Sequence, residues 1–407
     1  MLRADVCVVG GGPAGTAAAI TLARAGRDVV LVDRARFPRD KCCGDGLTTA
    51  ALRRLAALGL RPESVPSFRP VADVSVRSPS GHTVRYPLPR DRGVFAAVAR
   101  RWDLDAALVE LARAAGVKVH DGHALTGARL DPGGGCVLLD VEGLGTVAAT
   151  YALGADGQWS PLAHALGAWQ PGYVGEWQAF RAYVRGTGPA AADLWVFFEP
   201  DLLPGYAWSF PLPGGAANVG FGVWRDGRAR RPARSGQFGE LLARPHVAAV
   251  LGPSARIDGP ARSWPIPARI DRAALSACGG RALFVGDAAG ACDPMTGEGI
   301  AQALETGVLA AEAITAAGPF RPATAATRYR AAVGRSLLPD HRMSALLMRA
   351  LRHRRGARAA VRISGATAWT RANFVRWLFE DEPRGVLLTP DRWHRRFLRR
   401  DGAWAHG

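Results

Sequence analysis

The sequence predicts an α/β protein with a mostly parallel sheet, an antiparallel sheet inserted into it, and a helical C-terminal region. Three stretches lead there. Residues 6–9 (VCVV) form a short apolar run that ends in a glycine turn, followed by an alanine-rich run over 14–25 and a second apolar run over 29–33. Residues 173–263 change texture: runs rich in aromatics and β-branched residues are separated by Pro and Gly. Residues 282–285 then return to a fully apolar run just before Gly286-Asp287, and the helical pattern dominates from Gly299 onward.

The N-terminal stretch reads as strand, turn, helix, strand. An unbroken apolar run of this length is what a strand buried on both faces requires. Gly10 permits a sharp turn, Gly12 leaves the backbone bare for a pyrophosphate, and Gly15 lets the helix lie close to the strand. Pro13 and Ala14 open the helix, whose free N–H groups and dipole favour an anion. Gly26 stops it, and Asp33 closes the second strand, where a carboxylate accepts both hydroxyls of a ribose. The framing by strand, helix and acid identifies a Rossmann-like dinucleotide unit. An acid with no basic replacement beside it suits the free 2′-hydroxyl of FAD or NAD, and the N-terminal position fits a permanently held flavin.

Along the chain, 34–46 (RARFPRDKCCGDG) is a polar, glycine-rich loop and 47–58 a helix. Residues 71–87 read as a hairpin around Ser78-Pro79-Ser80-Gly81. A helix over 104–115 carries its apolar stripe at Leu104, Leu108 and Leu111 and is closed by Gly116. Strands follow at 117–120, 124–130, 137–141 and 147–153, then at 178–184, 194–199, 206–212 and 217–224 within the insertion. The helical C-terminal region is interrupted near Pro339. The expected organisation is a first part of the dinucleotide domain over 1–172, the inserted sheet over 173–263, a second part over 264–330, and a helical cap over 331–407.

The composition fits a globular chain of 407 residues, 48% hydrophobic and 21% charged. No apolar stretch is long enough to span a bilayer, and the N-terminus runs straight into a strand, so a cytoplasmic protein is expected. The six cysteines show no metal-ligand spacing and no secreted disulfide pattern; no metal site is expected, and the thiols should be mostly reduced. The nine histidines form no cluster. The net charge of +17 comes almost wholly from arginine, Lys41 and Lys118 being the only lysines. With no recognition helix or other binding motif, no nucleic-acid partner is expected.

A second site lies at Gly286-Asp287-Ala288-Ala289-Gly290, followed by Asp293-Pro294-Met295-Thr296-Gly297-Glu298-Gly299-Ile300. An acid at a strand end meets a ribityl chain or pyrophosphate, and Gly297 and Gly299 leave a helix start bare. Glu298 reads as a capping or hydrogen-bonding acid rather than a proton donor.

These stretches resemble the FAD-dependent geranylgeranyl reductase family, within the flavoproteins similar to p-hydroxybenzoate hydroxylase. The resemblance is carried by GGGPAG at 10–15, KCCGDG at 41–46, GYAWSFP at 205–211, GDAAGACDPMTGEGI at 286–300 and, more weakly, RWDLD at 101–105, up to about Gly307. It implies that Gly10, Gly12, Pro13, Ala14, Gly15, Asp33 and Arg34 hold the adenosine and pyrophosphate of FAD. Arg101 and Asp287 would meet the middle of the cofactor, Leu125 the adenine, and Gly297, Gly299 and Ile300 the ring edge. Cys43 and Gly44 match a loop beside the isoalloxazine; Tyr206 and Trp208 match the substrate side, where they form either a wall of the site or an ordinary aromatic core. Cys43 either acts on a proton, positions the ring, or only fills space. The chain departs from the family in Cys42, where a proline is usual, in Ala163, where arginine is common, and in Asp33, where glutamate is commoner.

The implied function is reduction of isolated double bonds in a prenyl chain. The alternatives are a flavin monooxygenase acting on an aromatic or polyketide-like substrate, and a non-catalytic prenyl-lipid binder. A halogenase is disfavoured, since Lys41 stands in the wrong context for the lysine that chemistry needs. No second dinucleotide fingerprint identifies the electron donor, so NAD(P)H and a reduced carrier stay open. From His341 onward, fifteen arginines face five acids, interleaved with Trp369, Phe374, Trp377, Leu378, Trp393 and Phe397. That pattern fits a helix on an anionic membrane surface, and equally a basic cap over the pocket.

Overall fold

The computed structural model describes residues 1–225, 236–386, 389–395, 397 and 399–405. The strand Leu2–Val9 lies parallel between Val29–Asp33 and Gly145–Gly154, and Ala282–Phe284 pairs parallel on the far side of Gly145–Gly154. Lys118–Asp121 extends the sheet at one edge and Ser276–Ala277 at the other; Val137–Val141 and Leu125–Leu130 fold back antiparallel from Gly145–Gly154. The central strands are buried on both faces, which is why their sequences read as unbroken apolar runs.

Small residues set the spacing of the first layer. Helix Pro13–Arg24 starts at Gly12 with no side-chain cap, so its first N–H groups stay free. A Cβ on Gly15 would stand 1.8 Å from the Gly10 carbonyl oxygen, and one on Gly307 would stand 2.2 Å from that of Ala14. The long helix Ile300–Ala317 therefore crosses the first helix almost backbone to backbone. Gly286 also packs on Ala14, its Cβ position 2.9 Å from the Ala14 methyl. Two motifs some 270 residues apart in the chain thus meet at the start of one helix.

The second sheet runs in the order Arg256–Ile266, Trp177–Arg185, Ala216–Trp224, Tyr206–Leu212, Leu194–Phe197, Asp73–Arg77, Thr83–Pro87. It is not confined to 173–263. The hairpin near Ser78–Gly81 forms as expected but joins this sheet, because Leu194–Phe197 pairs parallel with Asp73–Arg77. Arg256–Ile266 is an exposed edge strand that the sequence reading did not name; its Gly259, Pro260 and Pro265 hide the alternation. Period-two alternation divides the two faces. Phe180, Ala182, Val184, Ala217, Val219 and Phe221 pack under helices Gly236–Leu242 and Pro245–Leu251. Arg181, Tyr183, Asn218, Gly220, Tyr206 and Trp208 occupy the alternate positions, on the side of the first domain.

The C-terminal region folds as helices Pro322–Ser336, Leu338–Leu351, Arg354–Gly365 and Ala368–Leu378. The expected interruption near Pro339 is there: one helix ends at Ser336 and the next begins at Leu338, with Pro339 in its first turn, where its missing N–H costs nothing. Tyr329 ties this layer to the first sheet by donating to the Phe284 carbonyl at 2.8 Å. No helix among the described residues is long and apolar enough to cross a membrane.

Candidate active site

A cavity of about 1040 Å³ lies where the first sheet, the second sheet and the C-terminal helices meet. That is at the upper end of the roughly 300–1,000 Å³ usual for small-molecule sites. The first domain contributes glycines and charged groups to its wall; the second sheet and the C-terminal helices contribute Val76, Leu194, Val196, Phe198, Leu347, Leu351, Val361, Phe374 and Trp377. Every residue expected at the site lines this cavity except Gly15, whose place is the helix–strand contact already described.

At the glycine turn, Gly10 adopts φ +107°, and a Cβ there would stand 2.3 Å from the Ala155 carbonyl oxygen. Gly12 differs in kind. Among the described residues, beyond its chain neighbours and its own helix backbone, its Cβ position meets within 4 Å only guanidinium nitrogens of Arg101 and Arg39, both at 3.7 Å. Bare backbone, free helix N–H groups and two guanidiniums converge there, which is the donor set a pyrophosphate needs. Arg101 is held bidentate by Asp105 at 2.7 Å for each bond, and Arg39 reaches the same carboxylate at 2.8 Å. Burial pushes the Asp105 carboxyl up, but Arg101 and then Arg39 outweigh it and hold the group below the ordinary carboxylate range. Asp33 accepts from the N–H of Gly11 at 2.7 Å and of Ala35 at 2.8 Å, one on each oxygen. Each oxygen keeps a second lone pair for a ribose hydroxyl. Arg34 and Leu125 line the wall beside it. The residues present therefore fit FAD.

The loop 40–46 carries the next group of contacts. Lys41 donates to Asp287 at 3.0 Å and Cys292 to the other oxygen of Asp287 at 3.4 Å. Burial pushes the Asp287 carboxyl up, but Lys41 outweighs it and holds the group below the ordinary carboxylate range. Arg181 donates to Asp40 at 2.5 Å, and Asn218 donates to the Cys43 carbonyl at 2.8 Å. These ties hold the loop that Cys42, in place of proline, leaves unconstrained by its own backbone. The Cys43 sulfur accepts from the Asp45 N–H at 3.3 Å, and burial pushes its thiol up, so it stands as a neutral thiol.

Asp45 was not singled out in the sequence, although it lies inside KCCGDG. It is fully buried, has φ +64°, and accepts from Asn218 at 2.8 Å and Tyr183 at 2.9 Å. Burial lifts its carboxyl to about 6, with Asn218 and Tyr183 opposing the rise. Asn218 also accepts from the Trp208 indole N–H at 3.0 Å. Loop, sheet and aromatic wall thus share one buried amide.

Tyr206, Trp208 and Phe210 stand in a row on one face of their strand, ring centroids 6.0 Å apart at each step. They line the cavity rather than a closed core. Gly220 makes room for the Trp208 indole, which would lie 2.3 Å from a Cβ there, and Gly44 and Gly46 make room for the Phe210 ring, at 3.3 and 3.1 Å. The Tyr206 hydroxyl donates to the Thr296 carbonyl.

Beyond Thr296, Gly297 has φ +68° and Gly299 has room limited by the Cys292 sulfur, 2.8 Å from its Cβ position. Glu298 caps helix Ile300–Ala317, as its sequence position suggested, by accepting from the N–H of Ile300 at 3.0 Å and Ala301 at 3.4 Å. Arg384, in a stretch with no motif to mark it, closes the cavity from the C-terminal side, with Glu380 behind it. Arg384 lies 3.3 Å from Glu380 and 3.4 Å from Asp293. Only the tertiary fold brings Arg39, Asn218, Tyr183, Glu380 and Arg384 here. Of the C-terminal apolar residues singled out above, Phe374, Trp377 and Leu378 line the cavity, while Trp369, Trp393 and Phe397 are exposed.

Residues 3–202 match the family model described as FAD binding domain. The chain is 35% identical over 335 residues to menaquinone reductase of Mycolicibacterium smegmatis, covering 78% of this chain and 77% of that protein. It is 30% identical over 332 residues to digeranylgeranylglycerophospholipid reductase of Methanothrix thermoacetophila, covering 77% and 78%. The chain belongs to the FAD-dependent geranylgeranyl reductase family. The fold of this geranylgeranyl-reductase-family chain is also that of a geranylgeranyl bacteriochlorophyll reductase-like protein from Thermoplasma acidophilum, with a TM-score of 0.79, 20% identity, and coverage of 97% and 100%. Halogenase PltM, solved in complex with FAD, shares it at a TM-score of 0.70 and 18% identity, covering 97% and 85%. Like other members of the family, the protein is an FAD-dependent oxidoreductase.

Proposed function

We propose that this oxidoreductase saturates isolated double bonds of a prenyl chain, of the menaquinone-tail or geranylgeranyl-lipid type. The observation that carries the reading is the apolar part of the cavity, continuous with the nucleotide cradle and walled by Tyr206, Trp208, Phe210 and the C-terminal helices. A polyisoprenoid has no polar group to recognise along its length, so shape and dryness must hold it. The names of the two relatives point the same way.

In this reading Gly10, Gly12, Pro13, Ala14, Asp33, Arg34, Arg101, Leu125 and Asp287 hold the adenosine and pyrophosphate portions of FAD, and Gly44, Gly297, Gly299 and Ile300 border its ring. Reduced FAD, when bound, supplies hydride. NAD(P)H or a reduced electron carrier provides the electrons. Tyr206 and Trp208 keep the chain stacked and exclude water, which matters because an unactivated alkene offers no carbonyl to take up charge. Cys43, a neutral thiol on a tethered loop, sets the ring-side geometry. The exposed Leu346, Ile363 and Trp369 stand among the arginines of the C-terminal helices, so we assign that surface to docking on an anionic membrane, from which such a lipid would enter.

The test is anaerobic single turnover of chemically reduced protein with prenyl lipids. Oxidation of the flavin with a product two hydrogens heavier supports the reading. Persistent reduced flavin with every prenyl lipid, together with hydroxylation of an aromatic substrate in air, replaces it with the monooxygenase.

A further inference from the structure

The Arg384 guanidinium is flanked by Glu380 at 3.3 Å and Asp293 at 3.4 Å where the cavity meets the C-terminal region, and Glu298 lies close enough to feel both Glu380 and Arg384. Tyr206, Cys43 and Cys292 also face Glu298 and bring no positive charge, while Lys41 and Arg101, farther along the same wall, are engaged by Asp287 and Asp105. One cation cannot neutralise three carboxylates in a low-dielectric site, so the cluster retains a proton.

Hydrogen bonding decides where that proton sits. Both oxygens of Glu380 are engaged, Oε2 by the Thr48 hydroxyl at 3.0 Å, Oε1 by Gln302 at 2.9 Å and Arg384 at 3.3 Å. Asp293 accepts from the Met295 and Thr296 N–H groups at 3.0 and 2.8 Å, from the Thr296 hydroxyl at 2.9 Å and from Ser344 at 2.5 Å. The oxygens of Glu380 and Asp293 are thus taken up by donors. Glu298 is engaged only on Oε1, by the two helix N–H groups; Oε2 accepts no hydrogen bond among the described residues, and Glu298 lines the cavity between two bare glycines. Burial first, and the neighbouring Glu380 second, push its carboxyl well above the ordinary range.

We propose that Glu298, through Oε2, donates the proton to the alkene carbon that does not receive hydride, with Glu380 as the positioning residue that keeps it loaded. The inference rests on the prenyl-reductase reading. In the step, the π pair of the alkene forms a C–H bond to the Glu298 proton as its O–H bond breaks. Hydride from the reduced flavin forms the second C–H bond, which leaves oxidised flavin, a saturated bond and a Glu298 carboxylate that water reprotonates. The helix N-terminus stabilises that carboxylate.

The experiment uses FAD-loaded, pre-reduced protein and a geranylgeranyl lipid in detergent, with flavin reoxidation followed anaerobically across pH. In the wild type the rate falls as pH rises, because the donor is the protonated form. Glu298→Gln keeps an acceptor for the cap and should retain the flavin spectrum and lipid affinity, yet reoxidise at least about 100-fold more slowly with no inflection. Glu380→Gln removes the repulsion and should move the inflection to lower pH. Infrared difference spectra of the lipid-free protein should show a protonated-carboxyl band that Glu298→Gln loses. A Glu298→Gln protein that turns over at the wild-type rate, or an inflection unmoved by Glu380→Gln, overturns the inference while the reductase reading stands. A wild type that reduces no prenyl lipid at any pH overturns both.

Discussion

Tyr183 and Asn218 face each other across an antiparallel strand pair and donate to the same carboxylate oxygen, Oδ2 of Asp45, at 2.9 and 2.8 Å. Two strands of the second sheet thereby grip a loop of the first domain, two residues from Cys43.

Asp45→Ala should destabilise the protein by about 1–3 kcal/mol, since a buried amide and hydroxyl lose their acceptor. The pH dependence has a definite sign. The Asp45 carboxyl is raised to about 6 from an ordinary 3.8, so the neutral form is favoured in the folded state. Its stabilising contribution is complete below about pH 4 and is lost as pH rises through about 6, on the order of 3 kcal/mol in total. Asp45→Asn should remove that portion, and denaturant unfolding of both proteins at about pH 4 and about pH 7 measures it.

Gly12 and Gly15 should respond oppositely to alanine. A methyl on Gly12 meets only guanidinium tips at 3.7 Å, so Gly12→Ala should fold normally while binding FAD more weakly. A methyl on Gly15 would overlap the Gly10 carbonyl, and Gly15→Ala should cost about 1–3 kcal/mol. Thermal melts with and without FAD separate the two.

Trp208→Ala removes an indole wedged against Gly220 and frees the Asn218 oxygen it donates to. A loss toward the lower end of the roughly 3–5 kcal/mol for buried Trp→Ala is expected, since the ring borders a cavity. Prenyl affinity should fall or the choice of double bond scatter. Cys43→Ala should keep FAD and lower turnover, as product analysis and flavin absorbance would report.

For the membrane surface, sedimentation with vesicles should show binding to anionic but not neutral lipid, weakening with salt. Equal binding to both, or to neither, rejects an electrostatic anchor. Arg376 and Arg384 lie buried in ion pairs, so substituting the exposed Arg354, Arg355 and Arg358 is the informative change.

The sequence by itself determined the nucleotide half of this protein. Strand, glycine turn, helix and Asp33 are contiguous, and each residue's role follows from local geometry: a positive φ, a bare backbone, a carboxylate at a strand end. The row of Tyr206, Trp208 and Phe210 was legible for the same reason, because period-two alternation places them on one face wherever the strand goes. What alternation could not say is what that face meets. Asp45 meets Asn218 across 173 positions and Lys41 meets Asp287 across 246, while Glu380 reaches Thr48 across 332. Those partners carry no local pattern, since a buried amide or carboxylate is specified by the charges packed against it. The tertiary structure alone decided that the hairpin over 71–87 joins the second sheet, that the missing proline of the Cys43 loop is replaced by side-chain ties, and that Glu298 borders a second buried carboxyl. Electrostatics in a low dielectric depends on distance in space, which the order of residues does not encode.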